Sequence, residues 1–312
     1  MPSFKAHLTN FALKRMFKPQ IARLVNDLDG LPENIIPFRA ALEKQAAKTR
    51  LPKDVDIQPW DITGPQSEVV TPNNAQPDWA LLYLHGGGYK FCSPQTHRAL
   101  TCKLAQTLPA RTFVPNYRLA PEHRFPAALD DAMAAYLRLL EDGFDPSRIA
   151  LAGDSAGGNL CLSLLLKLRE TRQPLPAAVA LMSPLTDMTN SGLSAKLNSD
   201  SDVMFPGEAF AQRDHFYLGE IDARDPLVSP LFGDLSGLPP MLIHASTSEC
   251  LLDDSTRFTA RAQAQGASVE LQLFDGLPHV WHYYCGQMPE ADRDATRLAL
   301  FLRARLQLGA IR

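Results

Sequence analysis

The sequence predicts an α/β protein with a mostly parallel central sheet flanked by helices. Three observations point there. From about residue 78, short apolar runs alternate with longer stretches of helical periodicity, the pattern of strands joined through crossover helices. Most of the runs are continuously apolar, as strands covered on both faces should be. And 312 residues, 45% of them hydrophobic and 21% charged, can form one large core with an appendage, or two domains.

The elements follow in chain order. Met1 to Lys18 lacks the unbroken apolar stretch and small-residue cleavage site of a signal peptide. Phe4, Leu8, Phe11 and Ala12 recur at helical spacing, which predicts an amphipathic helix, with Leu13 and Phe17 off its stripe. We expect that stripe to be buried against the protein. The alternative is contact with a membrane surface, for which four basic residues are too few to anchor firmly. Residues 1–50 as a whole look helical.

The first apolar run, Trp79–Leu84, ends in His85-Gly86-Gly87-Gly88. Thr112–Pro115, Ile149–Ala152, Ala177–Met182, Met241–Ala245 and Val269–Phe274 follow. Between and after them lie predicted helices Thr96–Leu108, Pro126–Glu141, Ala156–Thr171, Asp253–Gln265 and Asp292–Leu308. Residues 186–224 break the rhythm, mixing polar residues with Met188, Val203, Met204, Phe205, Phe210, Phe216 and Tyr217. That stretch is either a lid over a pocket or a crossover helix with an ordinary core face.

Charge excludes some functions. With 31 Lys+Arg against 34 Asp+Glu the net charge is −3, so no sequence-wide basic field exists to hold nucleic acid. Mean hydropathy is −0.15 and no apolar run approaches 18 residues, which argues against a membrane span. Five cysteines, without C-x-x-C spacing, indicate neither a disulfide framework nor a zinc site. Reduced thiols in a cytoplasmic protein are the plain reading.

Gly153-Asp154-Ser155-Ala156-Gly157 is a G-x-S-x-G with a predicted strand before it and a helix after it, the context this motif requires. Ser155 is the candidate nucleophile. Side chains two residues either side of it would collide with the adjoining strand and helix, hence the glycines. The helix opening at Ala156 aims N–H groups and its positive dipole end where an oxyanion would form. The glycines after His85 allow further main-chain N–H groups to approach the same charge. A phosphate cradle would want G-x-x-x-x-G-K-[ST], which is absent. His85 itself more plausibly braces that loop than performs chemistry.

A serine needs a base, and the base needs an acid to fix its tautomer. His279, in Asp275-Gly276-Leu277-Pro278-His279, sits just past the last apolar run, where catalytic loops of open sheets gather. His282 lies three residues on, so a metal-binding pair is the alternative, though no third ligand is evident. Glu249, Asp253 and Asp254 follow the Met241–Ala245 run. Glu249 stands nearest the strand end, and the other two look like the start of a helix.

These motifs, with Tyr117-Arg118-Leu119-Ala120-Pro121-Glu122-His123, Phe125-Pro126-Ala127-Ala128, Asp225-Pro226, Ser229-Pro230-Leu231 and Gly237-Leu238-Pro239-Pro240, resemble the bacterial hormone-sensitive-lipase family of α/β-hydrolases. The likeness runs from about residue 79 to the C-terminus. It implies an α/β-hydrolase fold with a helical cap, Ser155 as nucleophile and His279 as base. It also implies Gly87, Gly88 and Ala156 as oxyanion donors, Gly86 shaping the loop, and no cofactor or metal. Where many members carry Asp-Pro-Leu this chain has Glu249-Cys250-Leu251, so the implied acid is Glu249, with Asp253 the runner-up. The family's caps map onto residues 1–50 and onto the insertion at 186–224 of a hydrolase domain spanning 51–312.

The expected function is a serine carboxylesterase for small, largely apolar esters, acting through an acyl-enzyme. Phe11, Phe205 and Phe216 are candidate pocket residues. A lactone hydrolase, a deacetylase or an arylformamidase would use the same machinery. A catalytically dead small-molecule receptor and a membrane-acting lipase are the rivals from other classes. The expected partner is a small-molecule ester, with no nucleic acid and no stable membrane insertion. Relatives of this type often pair through an edge strand, which leaves a homodimer open.

Overall fold

A computed structural model describes residues 2–26, 31–62, 66–207, 209 and 214–308. Phe210, among the aromatics noted in the sequence, lies outside them. The strands are β1 (Val55–Pro59), β2 (Glu68–Pro72), β3 (Gln76–Leu84), β4 (Ala110–Val114), β5 (Ile149–Asp154), β6 (Ala178–Met182), β7 (Met241–Ser246) and β8 (Val269–Phe274). They form one sheet in the order β1-β2-β4-β3-β5-β6-β7-β8. From β4 to β8 every pairing is parallel, while β2 runs antiparallel to both β1 and β4.

The six apolar runs are β3 to β8, with ends shifted by at most three residues. β1 and β2 were not anticipated. In β1, half-buried Val55 and Ile57 alternate with exposed Asp56 and Gln58, as in a marginal antiparallel strand wet on one face. A search for continuous apolar runs misses that pattern.

Period-two alternation along β3 separates two layers. Trp79, Leu81 and Tyr83 pack with α4 (Pro94–Thr107) and the C-terminal helix Pro289–Leu308. Ala80, Leu82 and Leu84 pack with α5 (Ala127–Glu141), α6 (Ala156–Glu170) and the helix Leu252–Ala264. Ser93 and Thr96 cap the start of α4 reciprocally, and Pro94 occupies its first turn. The five predicted helices are all present with ends moved by three residues or fewer.

The N-terminal stretch folds as α1 (Phe4–Ala12), a π-helical turn at Leu13–Phe17, α2 (Lys18–Asn26) and α3 (Leu31–Ala46). Its predicted orientation is corrected. Ala6 and Leu13 face the protein, whereas Phe4, Leu8, Phe11 and Ala12 are exposed. Polar anchors set this rotation: Ser3 donates through N and Oγ to Glu290 (2.5 and 2.9 Å), and Asn10 Nδ2 donates to the Gly276 carbonyl (2.9 Å).

Residues 186–224 connect β6 to β7 by largely irregular chain, with short helical turns at Ser194–Leu197 and Asp214–Tyr217. Two buried carboxylates organise it. Asp187 accepts from Thr189, Ser191 and Arg257, and Asp202 accepts from the N–H groups of Met204 and Phe205. Among the described residues no helix is long and apolar enough to cross a membrane.

Candidate active site

Ser155 sits between β5 and α6 with φ 52° and ψ −119°, a backbone conformation that costs an ordinary side chain energy. The turn closes through Ser155 N donating to Met182 O (2.9 Å), and Ser155 O accepting from Leu185 N (3.0 Å). Both flanking glycines are sterically required. A Cβ at position 153 would stand 2.5 Å from the Gly157 carbonyl oxygen, and one at 157 would stand 2.0 Å from Leu84 O. The motif is therefore a close crossing of β3, β5 and α6.

The loop after β3 carries the glycines. Gly87 and Gly88 have φ of 109° and 61°, and no acceptor within the described residues engages their N–H groups or that of Ala156. Gly86 N instead donates to Asp154 Oδ1 (2.9 Å). That carboxylate, almost fully buried beside the nucleophile, also accepts from Tyr83 OH (2.6 Å) and pairs with His97 Nε2 at 3.4 Å. Burial opposes its charge, but His97 and the Tyr83 hydroxyl outweigh burial and hold it below the usual carboxylate range. Asp154 thus pins the glycine loop to the elbow. His85 is fully buried, stacks on Tyr117 at 4.2 Å, and is pushed down to about 3 by burial, then by the charge of His97. It braces the loop as a neutral ring.

His279 lies past the end of β8, almost fully buried, with Nδ1 hydrogen-bonded to Glu249 Oε2. A carboxylate has no proton to give, so Nδ1 is the donor and Nε2 is left with a free lone pair. Nε2 has no hydrogen-bond partner among the described residues. Glu249 is itself buried, and its other oxygen accepts from Ser246 N (2.8 Å), which fixes the carboxylate on the strand end. Burial pushes the His279 imidazolium down, yet the charge and hydrogen bond of Glu249 overcome this and raise it above the ordinary histidine value.

The other candidate acids are employed elsewhere. Asp253 accepts from Ser194 N (3.0 Å), and Asp254 accepts from the N–H groups of Thr186 and Asp187. His282 does not pair with His279: its Nε2 lies 3.1 Å from Nδ1 of buried His244.

Ser155, Ala156, His279, Gly87 and Gly88 line one cavity of about 630 Å³. Leu13, Phe17, Ile21, Ile35 and Phe38 wall it from the N-terminal helices, and Met204 and Phe205 from the insertion. Phe205 meets the His279 ring edge-on at 5.2 Å. The other two predicted pocket aromatics fall outside it: Phe11 is exposed, and Phe216 lies beside Lys90.

Three contributors escaped sequence reasoning. Asp202 accepts from Cys250 N (2.9 Å) as well as Phe205 N, tying the acid's loop to the aromatic over the imidazole. Arg39 on α3 donates to the carbonyls of Lys90 (2.6 Å) and Ala120 (2.7 Å) and to both Glu122 oxygens, clamping the helix to the glycine loop's far end. Tyr89 stacks on Tyr217 at 3.8 Å and donates to Asn159 (2.6 Å). Each joins residues distant in the chain, and no local pattern marks them.

Comparison with known proteins finds relatives of the same fold. A family profile described as alpha/beta hydrolase fold matches residues 81–283. An acetyl-hydrolase of Streptomyces hygroscopicus is 39% identical over 77% of this chain and 83% of its own. An esterase of Acinetobacter venetianus is 36% identical over 79% and 82%. Among solved structures, EstE5 soaked with p-nitrophenyl butyrate superposes with a TM-score of 0.83 at 36% identity, covering 93% of this chain and 99% of that one. An esterase from the bacterial hormone-sensitive lipase family gives 0.82 at 37% identity over the same shares.

Proposed function

We propose a two-step acyl-transfer mechanism for this chain, which belongs to the bacterial hormone-sensitive-lipase family of α/β-hydrolases. It is a carboxylic ester hydrolase. Ser155 Oγ attacks the ester carbonyl as His279 Nε2 takes its proton. The carbonyl oxygen becomes an anion held by the N–H groups of Gly87, Gly88 and Ala156. Collapse of the tetrahedral adduct breaks the bond to the alkoxy oxygen, which leaves as the alcohol with the proton from His279. Water then repeats the sequence on the acyl-Ser155 ester, His279 taking and returning the proton, and the acid departs. Glu249 keeps its charge throughout and stabilises the transient imidazolium.

The observation that carries this reading is the buried Glu249–His279 pair, its Nε2 unpartnered among the described residues, on the wall of the cavity that also holds Ser155. Its apolar lining and volume, within the usual range for small-molecule sites, support small, largely apolar esters. The cap reading of residues 1–50 and 186–224 is supported by their share of that lining. The outer edge of β8, unpaired among the described residues, supports a homodimer, which sedimentation velocity tests. Five free thiols support a cytoplasmic setting.

Ser155→Ala should abolish turnover of p-nitrophenyl butyrate and labelling by a fluorophosphonate while leaving the thermal melt intact. Turnover retained by the folded variant overturns the mechanism.

A further inference from the structure

We propose that the outer face of α1 docks the protein reversibly onto an anionic lipid surface, presenting the cavity mouth to that surface. Three observations converge on it.

The first is an inversion of side-chain size. A helix packed on a protein for stability alone turns its large apolar residues inward. Here the inward positions hold Ala6, Asn10 and Leu13, while Phe4 (82% exposed), Leu8 (58%) and Phe11 (60%) form an i, i+4, i+7 stripe in water, with Met16 (67%) beyond. The rotation is not slack, since Ser3 is bonded to Glu290 and Asn10 to Gly276.

The second is charge. Residues 2–26 contain five Lys or Arg and no Asp or Glu, in a chain whose acidic residues outnumber its basic ones. Lys5, Lys14 and Arg15 are exposed, and the Arg15 guanidinium lies 5.0 Å over the Phe11 ring. An apolar stripe accompanied only by cations is the composition of an interfacial helix, and it complements phosphate headgroups.

The third is position. Leu8, Thr9, Ala12 and Met16 border both this face and the catalytic cavity. A surface meeting the stripe would therefore lie at the cavity's entrance. An ester with its acyl chain in the lipid phase would reach Ser155 without fully crossing water. This consequence rests on the ester-hydrolase reading, but the docking itself does not.

The test is co-sedimentation of the full chain with phosphatidylcholine vesicles, with and without phosphatidylglycerol. Phe4 and Phe11 do not line the cavity, so Phe4→Ser with Phe11→Ser removes both aromatic residues of the stripe and should leave turnover of monomeric p-nitrophenyl butyrate unchanged. Wild type should partition onto the anionic vesicles, less so at high salt. The double variant should bind at least about tenfold more weakly, and Lys5→Glu with Arg15→Glu should abolish the preference for anionic lipid. The Ser155→Ala variant should bind like wild type, which keeps failure of the chemistry distinct from failure of docking. Absence of wild-type binding, equal binding to both vesicles, or an unaltered double variant overturns the proposal. So does self-association of the protein in solution that the double variant abolishes, because a second copy would then own the stripe.

Discussion

Replacing Glu249 with Gln tests the heart of the site. The side chain keeps its size and one acceptor, so Ser246 N can still be satisfied. The amide nitrogen, however, meets His279 Nδ1 with a donor. The imidazole must then carry its proton on Nε2, the atom meant to receive one from Ser155. The pair is buried, Glu249 1% and His279 3% exposed, and breaking such a pair costs about 3–5 kcal/mol. That cost falls on the folded state, whereas kcat falls because the Nε2 tautomer offers Ser155 an N–H in place of a lone pair. A serine protease losing its triad carboxylate in this way falls by about 10⁴.

The pH profile adds a sign. Glu249 holds the imidazolium above its ordinary value against burial, so the variant leaves burial unopposed. Its residual kcat/KM should therefore retain activity to lower pH than wild type, on a much lower plateau. In the folding equilibrium, the raised histidine stabilises wild type fully below the unfolded value near 6.5. That contribution is lost as pH rises through the folded value. Steady-state hydrolysis of p-nitrophenyl butyrate from acid to mildly alkaline pH measures the kinetic effect. Wild-type kcat in Glu249→Gln, or a greater loss in Asp253→Asn, would refute the assignment.

Other outcomes follow from contacts already described. Gly86→Ala places a methyl 2.1 Å from Asp154 Oδ2, so the glycine loop must shift; kcat should fall by about 10²–10³, the scale of one oxyanion donor. An unchanged kcat would show that this loop does not hold the anion. Arg39→Met removes the clamp on Lys90 O, Ala120 O and Glu122, costing about 1–3 kcal/mol. A Tm lowered by several degrees and a raised KM are expected, and a variant identical in both would remove the clamp's role. His85 and His244, buried as neutral rings with values near 3 and 4, bind protons more weakly folded than unfolded. Their contribution to stability should therefore be intact above pH 6.5 and fall away toward pH 4, His244 accounting for about 3 kcal/mol of the loss. A urea midpoint that stays flat between those pH values would contradict this.

Most of the parallel sheet was legible because burial on both faces of β5, β6 and β7 leaves nearly unbroken apolar runs, while half-exposed β8 shows as the alternation Val269, Leu271, Leu273, and the catalytic loops sit at the ends of these strands. Ser155 and His279 could be placed for that reason. The two antiparallel strands were not legible, since β1 alternates like any half-wet segment. Periodicity in α1 announced an apolar stripe but not its direction: Ser3, Asn10 and their partners nearly 270 or more residues away decide which side faces water. Three acids within six residues were also beyond spacing alone. Asp253 and Asp254 open a helix and are captured by the chain after β6, which leaves Glu249 for the imidazole. Asp202 and Arg39 gain their roles only when separate stretches meet.

The π-helical turn at Leu13–Phe17 has a mechanical consequence. A single extra residue in a helix advances everything beyond it by about 100° around the axis. With that turn in place, Phe17, Ile21 and Leu24 point into the chamber above Ser155. Excising one residue from the turn would restore a regular spiral and swing those side chains off the chamber wall. The reacting atoms would stay where they are, while the shape of what they accept changed: a lever on selectivity that touches none of the chemistry.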